Sequence, residues 1–418
     1  MALSMRDRFV HEGESRVNEV SPNRVKMRDY DLLLLSIIGV IVILGLIMVY
    51  SSSIALTDGP NSQVIKFNRY FVMQAAFIGI GFFGMFTVFN INMDKWEELA
   101  LPFYIVAAIL LLIVLFPFIG REVNGARRWI PLGPVNFQPS ELMKLAMVVY
   151  AARYAVRHHE VIASLKFMDG FVRGILPIAG LMALAVGLTV VEPDLGAAMV
   201  IACICIGLLF LGGLHSFYLS TVIIAGVALV SVAVFGSSWR LRRLLAFMDP
   251  FSEEHAQSSG YQLVHSLIAI GRGEWSGVGL GFSIEKLHYL PEAHTDFILA
   301  VIGEELGFVG ITSVVILYFV LVFKCFKIGR VAIAMDRFFS GLVAQGVGIW
   351  IGFQALFNLC VCLGLLPTKG LTLPMISYGG SAMVITLSAL GLVFRVDYEN
   401  RQLMRGLSIS GVPTPRYM

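Results

Sequence analysis

Ten stretches of this chain approach the apolar length a helix needs to cross a bilayer, and no other feature limits its fold as strongly. They lie at 32–52, 71–91, 99–119, 141–156, 174–191, 195–213, 216–236, 297–323, 339–363 and 382–395. A bilayer core takes about 20 helical residues. The fourth and tenth runs are short, and only Glu192-Pro193-Asp194 separates the fifth from the sixth. Composition points the same way: 57% of residues are hydrophobic and 14% charged, against about 25% charged in soluble domains. A single soluble core stops growing near ~250–300 residues, and this chain of 418 has no hydrophilic stretch long enough for a second domain. The expected fold is all-α: a polytopic membrane protein of about ten transmembrane helices.

Charge placement gives the orientation. Connecting segments on the cytoplasmic side carry the excess of Lys and Arg. With the amino terminus inside, inward segments together with the span ends next to them (Arg153 and Arg395) hold nineteen such residues and outward ones eleven, with Lys144 inside a span. Both ends are thus expected in the cytoplasm, as a basic tail over 1–31 and a second tail over 396–418 that flank a membrane unit over 32–395. The first tail bears Arg6, Arg8, Arg16, Arg24, Lys26 and Arg28. The run from Leu32 is of full spanning length with no small-residue cleavage site, so it reads as a retained anchor rather than a removed leader. A net charge of +3 makes no case for a nucleic-acid partner. The cysteines (Cys203, Cys205, Cys325, Cys360, Cys362) mostly sit in apolar runs as Cys-x-Cys pairs. Residues two apart face different sides of a helix, so the five read as packing residues.

One connection departs from the rest. Residues 237–296, between spans seven and eight, form an extracytoplasmic loop far longer than ordinary connections, and long ordered loops tend to carry function. It begins with Ser238 to Met248, where Leu241, Leu244, Leu245 and Met248 share one helical stripe and Arg240 and Arg243 another. That is an interfacial amphipathic helix, whose guanidinium groups suit either diphosphate oxygens or anionic lipid. Asp249, Glu253 and Glu254 follow in a polar turn, either solvated or holding a general base. Four histidines share this loop without a usual zinc spacing.

Two further outward loops carry polar groups. In the loop over 120–140, Arg127, Arg128 and Trp129 fit an interfacial anchor or a contact to a lipid headgroup. Gln138-Pro139-Ser140 opens the fourth span, where Glu141 and Lys144 are three apart and share a face. Charges at such depth mark either a structural ion pair or a polar cavity. The loop over 364–381 is too rich in Pro and Gly for a regular helix. Non-helical backbone persists at membrane depth only when buried in protein or facing a cavity, so a re-entrant segment is expected.

The pieces NGARRWI, QPSELMKL, EPDLGAAM, GYQLVHSLIAIGRGE, LPEAHTDFILAVIGEELGFVG and PTKGLTLPMISYGGS occur in order across nearly the whole apolar region. With them the chain resembles the SEDS family (shape, elongation, division and sporulation). PTKGLTLP, GRGE and the long basic amino-terminal tail resemble its division members rather than its elongation members.

The resemblance implies a peptidoglycan glycosyltransferase that polymerises lipid II in septal wall synthesis. It also implies a multi-pass protein of the bacterial cytoplasmic (inner) membrane at the division septum, working with a class B penicillin-binding protein and other divisome proteins. It implies an essential carboxylate in the large outer loop, three residues after Pro250 and shortly before Gly260-Tyr261-Gln262. Glu253 holds that place, a glutamate where the family has aspartate, with Glu254 and Asp249 as rivals. Arg128, Glu141, Lys144, His294, Asp296 and Lys369 match family motifs as substrate contacts, and Arg240 and Arg243 join them through their charge. A divalent cation, Mg or Mn, is left open. The alternatives are a lipid II flippase, although the chain lacks the internal repeats common in transporters, and a non-catalytic scaffold for the penicillin-binding protein.

Overall fold

The structure is a computed structural model that describes residues 30–54 and 69–407, apart from 124, 134, 165, 166, 237 and 259. The basic tail and the last residues of the chain lie outside the described residues. Helix α1 (Leu32–Ser53) starts where Asp31 accepts bonds from the backbone N–H groups of Leu33 and Leu34, which satisfies two of the donors that a helix start leaves free. It is followed by α2 (Arg69–Phe89), α3 (Met93–Val114), α4 (Pro139–Arg157) and the short α5 (His159–Ile162). A π-helical stretch over Phe167–Ile175 runs into α6 (Leu176–Val191), then α7 (Leu195–Leu211) and α8 (Ser216–Phe235). The outer loop supplies α9 (Ser238–Met248), α10 (Glu253–Ala256) and α11 (Tyr261–Gly273). Helices α12 (Ile298–Ala334), α13 (Phe338–Cys362) and α14 (Gly380–Met404) complete the chain.

Among the described residues, seven helices are long and apolar enough to cross a membrane by length and composition. Helix α7 is apolar but shorter, with 17 residues. Helix α4 has 19 residues and carries Glu141, Lys144, Arg153 and Arg157, which lowers its hydropathy. The expected helical membrane fold is thus present, and the count of ten rests on taking α4, α7 and α8 as spans as well. Helices α13 and α14 form the centre: 78% of the apolar window of each is buried, against 17% for α2 at the periphery. The lipid-facing residues of α2, such as Phe83 and Phe86, are large and apolar, as a hydrocarbon solvent requires.

Not every outer segment is helical. Residues 121–137 fold into an antiparallel sheet of three short strands, β1 (Arg121–Val123), β2 (Ala126–Leu132) and β3 (Val135–Phe137), with Arg121 opposite Trp129 and Ile130 opposite Phe137. The long loop is ordered too, and is fastened to the head of α12. Gly307 has φ +65° and ψ −159°, a conformation essentially confined to glycine, and it breaks the helix there. The loosened peptide groups bond to residues 274–279: the N–H groups of Val278 and Gly279 donate to Glu304 O (2.9 Å) and Glu305 O (3.0 Å), and that of Phe308 donates to Glu274 O (2.9 Å). Both glutamates are fully buried and occupied. Glu304 accepts from Arg272 and from the N–H of Ile284, and Glu305 from Lys286 (2.6 Å) and Ser51 (2.7 Å). They bind the loop to the bundle.

The segment 364–379 is irregular and its second half is buried, with Leu371, Leu373, Met375 and Ile376 at 4% exposure or less. Side chains of the surrounding helices take up its carbonyls. Asn358 donates to Leu371 O, Gln354 to Thr372 O, Tyr318 to Pro374 O and Gln74 to Ser377 O. Helix α1 comes so close that a Cβ on Gly45 would lie 2.5 Å from Met375 O; only glycine fits there.

Candidate active site

The loops assigned outward converge at one end of the bundle. Gln138, just before α4, donates its side-chain N–H to Asp194 (3.0 Å), and its backbone N–H donates to Ser381 Oγ at the head of α14 (3.0 Å). Asn358 on α13 joins Asp296 O (2.7 Å) and Leu371 O (2.6 Å), and the Tyr378 N–H donates to His294 O. Segments 120–140, 192–194, 290–297 and 364–379 therefore meet around one cluster of polar side chains, the candidate pocket.

Its deepest charge is Lys144, with no exposed surface. The Nζ donates to Glu141 Oε1 at 2.7 Å and to Gln354 Oε1 at 2.9 Å, and lies 5.3 Å from the centre of the Trp350 ring. The indole N–H of Trp350 also donates to Gln354 Oε1. A buried cation needs such company, since desolvation otherwise exceeds the Coulombic gain. The second oxygen of Glu141 is buried and has no partner among the described residues. The two residues thus form the ion pair that was one of the two roles the sequence left open.

Asp194 heads α7, accepting from Ala197 N with one oxygen and from Gln138 and Ser140 with the other. Asp296 lies half-buried just before α12, with Oδ2 3.0 Å from where a Cβ on Gly370 would stand, which puts it against the Lys369-Gly370 turn. Burial, reinforced by Glu292 and Asp194 and opposed by Arg128, pushes its carboxyl up to about 7. His294 packs between Tyr70 (4.7 Å between ring centres) and Tyr378 (5.8 Å), and burial lowers its imidazole below the usual range, against the pull of Glu292. Arg128 reaches the same region from β2, its Nε buried without a partner among the described residues.

The pocket therefore gathers Arg128, Glu141, Lys144, His294, Asp296 and Lys369 of the residues marked from the sequence. Of Glu253, Glu254, Arg240 and Arg243 the structure describes the backbone alone; their side chains lie outside the described residues. Asp249 is exposed, and the bonds of its turn are local: Ser252 Oγ donates to Asp249 O and Gly260 N to His255 O. Sequence reading did not assign Gln138, Glu192, Asp194, Trp350, Gln354 or Asn358. The last three recur every four residues on one face of an apolar helix, a legible signal for a polar lining. Among the described residues no group of three or more His, Cys, Asp or Glu side chains is placed to hold a metal ion, so the Mg or Mn left open finds no ligand set among them.

A helical membrane protein with a polar pocket at one end, closed by a re-entrant segment and a fastened outer loop, is the class these features define. Residues 31–402 match the family described as cell cycle protein, that of FtsW, RodA and SpoVE. The chain belongs to this family. It is 55% identical to the probable peptidoglycan glycosyltransferase FtsW of Taylorella equigenitalis over 88% of this chain and 99% of that one, and 49% identical to that of Burkholderia thailandensis over 94% and 84%. Among solved structures it is similar to a chain from a peptidoglycan synthase complex described as coordinating polymerization and crosslinking (30% identity, TM-score 0.70, 89% of this chain and 98% of that one). It is also similar to the rod shape determining protein RodA of Thermus thermophilus (29% identity, TM-score 0.64, 89% and 97%). The SEDS resemblance read from the motifs holds over nearly the whole chain.

Proposed function

We propose that this chain is a peptidoglycan glycosyltransferase that polymerises lipid II into glycan strands for septal wall synthesis, with the outer pocket as its active site. The relatives' activity and the pocket's place at the end of the spans support the reading together. A lipid-linked sugar keeps its polyprenyl tail in the bilayer and its diphosphate and saccharide in the outer water layer, so a site for it belongs at that boundary. The observation that carries the chemistry is Asp296: a carboxyl at the mouth of the pocket, beside Lys369 and within the field of Arg128, pushed up to about 7. A general base works best when its affinity for protons lies near the working pH.

In the reaction the acceptor sugar hydroxyl attacks the donor anomeric carbon. The new glycosidic bond forms as the bond to the lipid diphosphate breaks, and the hydroxyl proton passes to the base. Asp296 takes that proton in our reading, while Arg128 and Lys369 offset the charge gathering on the departing diphosphate. Lys144, already committed to Glu141 and Gln354, holds the pocket floor. Glu253 remains the base expected from the resemblance. The protein sits in the cytoplasmic membrane with both ends inside, at the septum, and a class B penicillin-binding protein with other divisome proteins takes up the strand; the assembly of the solved relative supports such a partner.

The test is reconstitution of the full chain with its partner in liposomes, with lipid II supplied on a known side and both polymer and transbilayer movement followed. Polymer lost in Asp296→Asn and kept in Glu253→Gln is the expected result. The reverse pattern assigns the base to Glu253. Movement without polymer replaces the enzyme with a transporter, and neither replaces it with a scaffold.

A further inference from the structure

Glu192 follows the end of α6 in the short connection to α7 and has no exposed surface. Both of its carboxyl oxygens are buried without a hydrogen-bond partner among the described residues. That is unusual for an acid, since a carboxylate ion stripped of water and of donors is strongly unfavourable. The neutral acid in the same place costs far less. Nearby lies Arg128, whose Nε is likewise buried and bare, and neither Glu192 oxygen bonds to it. The charged groups that act on Glu192 are Asp194 at the head of α7 and Arg128 on β2. Asp194 has its oxygens engaged by Ala197, Gln138 and Ser140. Asp296, on the segment before α12, is coupled to the same two residues.

We propose that Glu192 is a positioning residue that works as a neutral acid, filling the space beside Arg128 without claiming its charge, so that the guanidinium stays available to an anionic group of the substrate. This rests on the reading of the pocket as the active site. Were Glu192 ionised, a bare anion would draw Arg128 into an ion pair, and a second negative charge would join Asp194 beside the base. Geometry alone favours the protonated form; burial, reinforced by Asp194 and opposed by Arg128, pushes the carboxyl up to about 8. Raising the pH through that value turns the acid into its anion and releases the proton to solvent. The pocket then loses its free cation, and polymerisation falls on the alkaline side.

Two measurements on the full chain in liposomes decide the matter. In infrared difference spectra, the wild type at neutral pH should show the carbonyl band of a protonated carboxyl. The part of that band due to Glu192 should be missing from Glu192→Gln, which keeps the contribution of Asp296, and should fade from the wild type as the pH passes about 8. In lipid II polymerisation, Glu192→Gln should keep its rate at pH 7 within about threefold and lose the alkaline fall, because Gln keeps the shape and can never ionise (about threefold corresponds to less than 1 kcal/mol). Identical spectra for wild type and Glu192→Gln overturn the proposal, as does a loss beyond tenfold (about 1.4 kcal/mol) at pH 7 or an alkaline fall that survives the substitution. The infrared band is read without turnover, so it still decides on Glu192 if the chain proves not to polymerise lipid II at all.

Discussion

The end of this bundle that holds Asp31 and Glu399 and the candidate site at the other end use buried charges in opposite ways. At the inner end, Glu399 accepts from both Arg337 and Arg395 and from the N–H of Met93, while Arg337 also donates to Asn400 and Ser340. Asp31 takes Lys324 at 2.7 Å, its backbone N–H donates to Asp397, and Asp397 takes Arg401 at 2.8 Å. These bonds tie the start of α1 and the α2–α3 turn to the ends of α12 and α14. At the candidate site, by contrast, Arg128, Glu141 and Glu192 each keep a buried atom without a partner among the described residues. A closed network fixes helices against one another. An open one keeps its capacity for a molecule that arrives later, at a standing cost in stability.

The sharpest way to break this contrast is Asp296→Asn. Removing a general base costs about 10²–10⁴-fold in rate, and the substitution should not lower the thermal midpoint, since Asn never places an anion in that site; equal loss of fold and rate would make Asp296 structural. Glu399→Gln should do the opposite. Breaking a buried ion pair costs about 3–5 kcal/mol, seen as a lowered midpoint in detergent, while turnover per folded molecule stays close to wild type. Gly45→Ala probes the join between pocket and bundle: its Cβ would meet Met375 O at 2.5 Å, and overpacking of this kind costs about 1–3 kcal/mol, with some loss of rate because the re-entrant segment must shift. Asp31→Ala removes a helix cap as well as an ion-pair partner, and the cap alone is worth about 0.5–2 kcal/mol; thermal scans should register it without a change in turnover.

The pH dependence sharpens the same comparison. A base must be unprotonated to act, so activity should climb through about 7 as Asp296 gives up its proton. Stability moves the other way. An acid whose folded value lies above its unfolded one, from 3.8 to about 7, binds its proton more tightly when folded, so stability is full below the lower value and declines as pH rises through the upper one. Rate profiles and midpoints recorded across pH 5–8, on wild type and Asp296→Asn, check both slopes.

Much of this was legible in the chain. Apolar runs gave the spans, because in hydrocarbon a backbone has few alternatives, and Lys and Arg counts sorted the loops into two groups that do meet at opposite ends. Glu141 and Lys144 stood out because charge is rare at such depth, and Asp296 because it matched a family motif. Glu192 did not. Its neighbours in sequence mark only a tight connection, and what distinguishes it is the lack of any donor facing it, a property of residues far away in the chain. The strands over 121–137 were missed for a similar reason: segments of three to seven residues between Gly and Pro carry too little periodicity to separate from irregular loop. Glu253 shows the limit of a motif, which can point to a residue but not to where its carboxyl is directed.

The irregular segment over 364–379 also bears on how the molecule comes together. Its carbonyls are claimed by side chains from α2, α12 and α13, and α1 presses a bare glycine against it. Lacking a regular ladder of its own, this cord has no shelter in lipid until those helices have assembled around it. It follows that the greasy scaffold matures first and the cord is threaded in last. A chain short of one surrounding helix would still insert, and would do so without a reaction chamber.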